Sequence, residues 1–388
     1  MVNRNKKQLL VVAASLFLVV LVAATATEAT DMTKSFTVKK GGTLVVEIDD
    51  AGSDIIVKTW DKSEVFISMV GIPDDELENL QMSESGNVVR VEYDGYDGWR
   101  RSRNMRVSAT VPAEFNLDLS TSGGDVEVMD RIKGDVDAAT SGGDIEVAVV
   151  DGNLDAKTSG GDVSADDVLG EATLRTSGGD IDVGNVKGEL SASTAGGDIT
   201  VGSVDNCLKA SRAGGDITID DVGGDAVAST AGGDIQVGTV SGSARVKTAG
   251  GDIELRGASG VVEAKTAGGD IECRAVTGSI DGATAGGDIV AELMPKGSEG
   301  SSLETKGGDI ELAIPGDAKV TIDALIRLRG RWGGEDEYDI TADFEAETHE
   351  SDKNNIRAKY VINGGGPVIK LETMNGNIHI RKTAKAGR

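Results

Sequence analysis

The chain has 388 residues, a formal net charge of −26 and only 3% aromatic residues, with 54 Gly and 5 Pro. The acid excess argues against nucleic acid as a partner, because phosphate binding needs clustered cations. So few prolines argue against collagen or a Pro-rich linker chain, and a 39% hydrophobic share suffices for a core of Val, Ile, Leu and Ala.

The N-terminus has the pattern of an export signal. Arg4, Lys6 and Lys7 precede an apolar run from Leu9 to Val22, and Ala24-Thr25-Ala26 supplies a small-residue cleavage pattern. Residues 1–26 are therefore expected to be a signal peptide; an uncleaved anchor over Leu9 to Ala26 is the alternative. No Cys ends the apolar run, so a lipid anchor is not expected. The protein is expected to be exported to the periplasm, the cell surface or the medium, with no membrane span after cleavage.

Residues 27–118 are expected to form an N-terminal β cap. Segments such as Thr43-Leu44-Val45-Val46-Glu47-Ile48 and Met105-Arg106-Val107-Ser108-Ala109 show the apolar–polar alternation of half-buried strands.

From residue 119 to 315 an internal repeat takes over. A regular series of eleven Gly-Gly-Asp, from Asp125 to Asp309, has spacings of 19, then eight of 18, then 21 residues. Val or Ile follows each Asp, a second apolar residue stands two positions on, and a Gly closes the half-unit. An offset of nine repeats the pattern, as in Leu190, Ala192, Ala195 and Gly197. Each unit is therefore two short strands joined by Gly turns, and Gly-Gly every 18 residues excludes helix. Strands this short cannot bury a core alone, but stacked coils can. The expected fold is all-β: an elongated single-chain β-solenoid of about 18 residues per coil, with irregular β caps at both ends. No Phe, Tyr or Trp falls between Asn116 and Arg331, which suits a thin interior. Residues 316–388 are expected to form a C-terminal β region and cap. There the motif returns once, degenerate, as Asn375-Gly376-Asn377-Ile378.

The repeated Thr-(Ser/Ala)-Gly-Gly-Asp-Ile resembles a bacterial β-strand-repeat family of candidate adhesins, largely a domain of unknown function. Phe36-Thr37-Val38 with Gly41-Gly42, Val111-Pro112, and Thr373-Met374-Asn375-Gly376-Asn377-Ile378 are further likenesses. The resemblance implies a β-repeat fold over nearly all of the chain after residue 26. It is nearly silent on activity.

Few residues suggest chemistry. The Asp column, including Asp144, Asp162, Asp180, Asp198, Asp216, Asp234, Asp252, Asp270 and Asp288, invites two readings. In the first, each Asp accepts hydrogen bonds from N–H groups of its turn and from the Thr four residues earlier. That Thr is present in ten of eleven units, with Arg212 the exception. In the second, calcium sits between coils, although the Gly-Gly-x-Gly-x-Asp spacing of calcium-binding nonapeptides is absent. The Gly-Gly pair itself is expected to serve a turn with positive φ.

No catalytic constellation emerges: the two His are His349 and His379, without metal-ligand spacing. Cys273 takes a column of small apolar residues and is expected to be buried. Cys207 should point outward, about four coils away, so both are expected to be free thiols. No metal or cofactor is required, with calcium as the one alternative. Trp99 with Arg100, Arg101 and Arg103, and Arg327, Arg329 and Arg331 with Trp332, are candidate docking clusters for a partner. The sequence thus points to a non-catalytic envelope scaffold or interaction module whose partner is an envelope or surface protein or a glycan. A calcium-responsive module is the alternative, and a polysaccharide-active enzyme ranks below it.

Overall fold

A computed structural model describes residues 29–50, 52–95, 105–328 and 338–383. Residues 1–28, which hold the expected signal, lie outside them. Among the described residues there is one short 3-10 segment, Asp74–Asn79, and the remaining elements are strands.

An inner coil shows how the sequence produces this. Ile181, Val183 and Val186 face inward from the strand Ile181–Val186, and Leu190 and Ala192 from Leu190–Thr194, each no more than 2% exposed. Polar residues between them point outward, because successive side chains of a strand alternate faces. Burying each Val, Ile or Leu is worth roughly 1.5–3 kcal/mol, yet one coil has no second layer to bury them against. Stacking supplies it: Ile181 pairs with Ile199 and Leu190 with Leu208, parallel and in register. Strands that follow Gly-Gly-Asp lie in one sheet of 17 strands, shared with strands from both ends of the chain, and strands that precede it lie in a second. The aliphatic core between them runs from Val38 to Ile380.

The ends depart from simple stacking. Gly42–Asp49 lies between Val88–Asp94 and Phe115–Thr121, parallel to both. Asp54–Trp60 lies between Arg106–Pro112 and Val126–Val128. The first coil of the chain is thus tucked inside the second. The C-terminus mirrors this. Val368–Met374 sits between Ser301–Glu304 and Val320–Arg327, and Ile378–Thr383 sits between Ile310–Pro315 and Ile340–Ala342. Regular coils therefore continue through both expected caps, beyond the 119–315 repeat.

Antiparallel strands close the stack beyond these coils: Ala29–Thr37 with Glu64–Pro73, Leu80–Ser85 with Val88–Asp94, and Thr348–Ser351 with Asn355–Ile362. They cover both N-terminal edges and the C-terminal edge of the second sheet, which would otherwise recruit another chain. Thr348–Ser351, the last strand of the second sheet, is exposed and polar at all four positions.

Candidate functional site

The Asp column is a ladder of hydrogen bonds running along the stack. Each Asp presents Oδ1 to the backbone N–H of the equivalent Asp one coil on, at 2.6–3.0 Å from Asp125 to Asp309. It begins earlier than the repeat, where Asp54 accepts from Asp125 N–H at 3.3 Å. It ends later, through Asn377, which takes its N–H to Asp309, and Asp339, which takes its N–H to Asn377. A carboxylate that accepts a backbone N–H is stabilised in its ionised form, which offsets repulsion along the column.

The Thr column is buried and does separate work. Thr158 Oγ1 donates to Gly143 C=O of the preceding coil at 2.8 Å and accepts from Gly161 N–H of its own turn at 3.4 Å. The expectation that Asp bonds its own turn and the Thr hydroxyl is thereby corrected: Asp reaches to the next coil, and Thr ties turn to turn beside it.

The Gly-Gly pair is corrected as well. None of the repeat's paired glycines is among those with positive φ. Close approach is what requires them. A Cβ on Gly197 would stand 2.0 Å from Gly179 O and 2.3 Å from Asp180 Oδ1. Gly is needed because the Asp ladder draws adjacent turns together.

Arg212 interrupts the Thr column. Its side chain is fully buried, 2.7 Å from Asp198 Oδ1, and it also donates to the carbonyls of Asp216 and Gly196. The N–H of Asp216 and the Arg212 guanidinium together hold the Asp198 carboxyl below the usual range. Arg212 Nε is buried without a partner, so the coil carries an unmet donor that the Thr coils lack. Two changes should separate these roles. Thr194→Val, which keeps the shape but removes the bridge, should cost about 1–2 kcal/mol in urea unfolding. Arg212→Thr should be neutral or stabilising, because it removes the unmet donor and supplies the bridging hydroxyl.

Among the described residues no three His, Cys, Asp or Glu side chains converge as a metal site would require. Cys207 is half-buried and Cys273 buried, both free; burial pushes the Cys273 thiol up to about 12, so it is not nucleophilic at neutral pH. His349 and His379 stand on different sheets. His379 Nδ1 lies 2.6 Å from Thr341 Oγ1 in a shallow depression of about 410 Å³ that Glu311, Asp343 and Arg381 also line.

Of the two docking clusters only Arg327 is described, and it is paired with Glu372. Trp99, Arg100, Arg101, Arg103, Arg329, Arg331 and Trp332 lie outside the described residues. Among the described residues no helix is long and apolar enough to cross a membrane.

Parallel strands paired in register around one aliphatic core define a β-solenoid. The chain belongs to the Toastrack DUF4097 family, whose model matches it twice, over residues 22–220 and 203–381. The two matches overlap around Arg212. Among curated proteins nothing matches the sequence. Similar solved structures include a candidate adhesin from Bacteroides fragilis, 13% identical, covering 91% of this chain and 97% of its own, with a TM-score of 0.21. A candidate cell adhesion protein from Clostridium sporogenes is 6% identical, with coverages of 92% and 100% and a TM-score of 0.19. A candidate lipid-binding protein from Parabacteroides distasonis is 14% identical, with coverages of 73% and 96% and a TM-score of 0.24. Likeness at this level carries nothing about ligand or role.

Proposed function

We propose that the protein is a non-catalytic, exported scaffold and interaction module of the cell envelope. One observation carries the reading. The repeat's own polar columns, Thr and Asp, are engaged in coil-to-coil bonds, and the interior between the sheets is filled with aliphatic side chains. What remains for other molecules is two broad faces and the two ends. Such surfaces bind through many weak contacts rather than one deep site. The Trp–Arg clusters, which apart from Arg327 lie outside the described residues, belong to this reading as docking points.

Calcium is the second reading, because each Asp of the column from Asp125 to Asp288 is exposed and the ladder engages only one of its carboxylate oxygens. Any ion there would add to a ladder that is already complete.

The test is co-sedimentation of the chain lacking residues 1–26 with isolated bacterial envelopes. Saturable, reversible retention with no release of sugar or peptide fragments is expected. Release of fragments in proportion to protein and time would establish an enzyme instead, and absence of retention would remove the envelope role.

A further inference from the structure

Antiparallel strands close three of the four sheet ends, and the fourth stays open. The first sheet ends on Ile340–Ala342, which among the described residues pairs only with Ile378–Thr383. In a parallel strand, residues that bond one neighbour alternate with residues that bond the other. Asp339 C=O accepts from Ile378 N–H, and Asp343 N–H donates to Ile380 C=O. Ile340 and Ala342 therefore turn their backbone groups to the open side. Ile340 N–H is held by Asp339 Oδ1 at 2.8 Å. Ala342 N–H and the carbonyls of Ile340 and Ala342 have no partner among the described residues.

The charge around this edge has one sign. From Glu335 to Lys353 the sequence holds nine acids against a single Lys, at its end. Asp339, Thr341 and Asp343 share the outer face of the strand, and all three are exposed. The neighbouring cations are engaged elsewhere. Arg381 is paired with Glu311, and Lys382 Nζ lies 4.8 Å from the centre of the Phe344 ring. His379 is bonded to Thr341. Arg357 and Lys359 stand on the outer face of the second sheet, where Lys359 holds Glu347. Among the described residues Asp339, Asp343 and Glu345 have no Lys or Arg within ion-pair distance. The inner face is apolar: Ile340 is buried and Ala342 half-buried, with Tyr338 and Phe344 packed against the same core.

We infer that Ile340–Ala342 pairs with an extended segment of a partner protein in which basic and apolar residues alternate. The inference rests on the interaction-module reading. Free backbone groups on a sheet edge select an extended chain. The two faces select the alternation. One set of its side chains lies beside Asp339 and Asp343, and the other beside Ile340 and Ala342. The same edge of a second copy would bring the same acids and be repelled. With three free backbone groups the pairing is short, as befits one weak contact among several.

The probe is a short synthetic peptide of alternating Lys and Val, titrated by fluorescence anisotropy with the chain lacking residues 1–26. Saturable binding is expected, weakening as salt rises. A peptide with Glu in place of Lys should not bind. One with methylated backbone nitrogens should bind about tenfold more weakly or worse. Ala342→Pro removes the free N–H and should abolish binding without moving the urea midpoint, because edge strands tolerate Pro. Asp339→Asn with Asp343→Asn keeps both local acceptors and should weaken binding about tenfold. Asp118→Asn with Asp155→Asn, an equal charge change on the second sheet, should leave it unchanged. Equal weakening there would reduce the effect to net charge and overturn the inference. Undiminished binding of the methylated peptide would overturn it as well. A doubled mass in light scattering, abolished by Ala342→Pro, would give the edge to a second copy and overturn it too. Retention on envelopes without peptide binding would end this inference and leave the module reading intact.

Discussion

Gly197→Ala is expected to destabilise the protein by about 3 kcal/mol or more, although it adds one methyl group to an exposed turn. The added Cβ meets Gly179 O at 2.0 Å, and that carbonyl belongs to backbone held by neighbouring coils. Neither turn can retreat without breaking the 2.6 Å bond from Asp198 N–H to Asp180. Nearby glycines provide a graded series. At Gly196 the added Cβ meets Gly178 O at 2.9 Å, and at Gly214, in the Arg212 coil, the nearest atom is Ala195 O at 3.9 Å. Gly196→Ala should cost about 1 kcal/mol. Gly214→Ala should be neutral or stabilise by roughly 0.4–1 kcal/mol, because it restricts the unfolded chain without a clash. Urea unfolding of the three variants checks the order. Equal effects at all three sites would show that turn conformation, not distance between coils, demands glycine.

Removal of residues 366–388 is expected to have a still larger effect. In a simple stack the last coil would be outermost, and its loss would cost only that coil. Here it is internal. Ile369, Leu371, Ile378 and Ile380 are all 1% exposed or less, and at roughly 1.5–3 kcal/mol each they represent about 6–12 kcal/mol of burial. The strands Val320–Arg327 and Ile340–Ala342, which lie beyond this coil, lose their parallel partners. Residues 316–362 should therefore lose protection from hydrogen exchange as a unit, and the truncated chain should aggregate through its opened edges. Removal of residues 384–388 alone should change nothing. Retained protection in 316–362 after the longer deletion would show that the outer strands pack independently.

These two predictions separate what the sequence makes legible from what it does not. The coil length, the inward Ile, Val, Leu and Ala columns and the buried Thr follow from an 18-residue period with alternation inside it. The burial of Cys273 follows from its column. The tucked ends do not, because no local pattern states that Gly42–Asp49 pairs with Phe115–Thr121 rather than only with Val88–Asp94. For the same reason nothing local marks Asp54 as the start of the ladder. Gly-Gly was misread because two glycines in a turn satisfy either a positive φ or a close approach, and only the stacked partner decides which.

The Asp column is a hydrogen-bond ladder complete in itself. Thermal unfolding of the chain lacking residues 1–26, followed by circular dichroism in excess calcium and then in excess chelator, tests this directly. A ligand that binds only the folded state must raise the midpoint by an amount set by its affinity and concentration. Superimposable β-type transitions are predicted, because Oδ1 of each Asp is already satisfied by the next coil. A calcium-dependent rise of several degrees, or an unfolded chain in chelator, would contradict the account and make the column a metal-binding ladder.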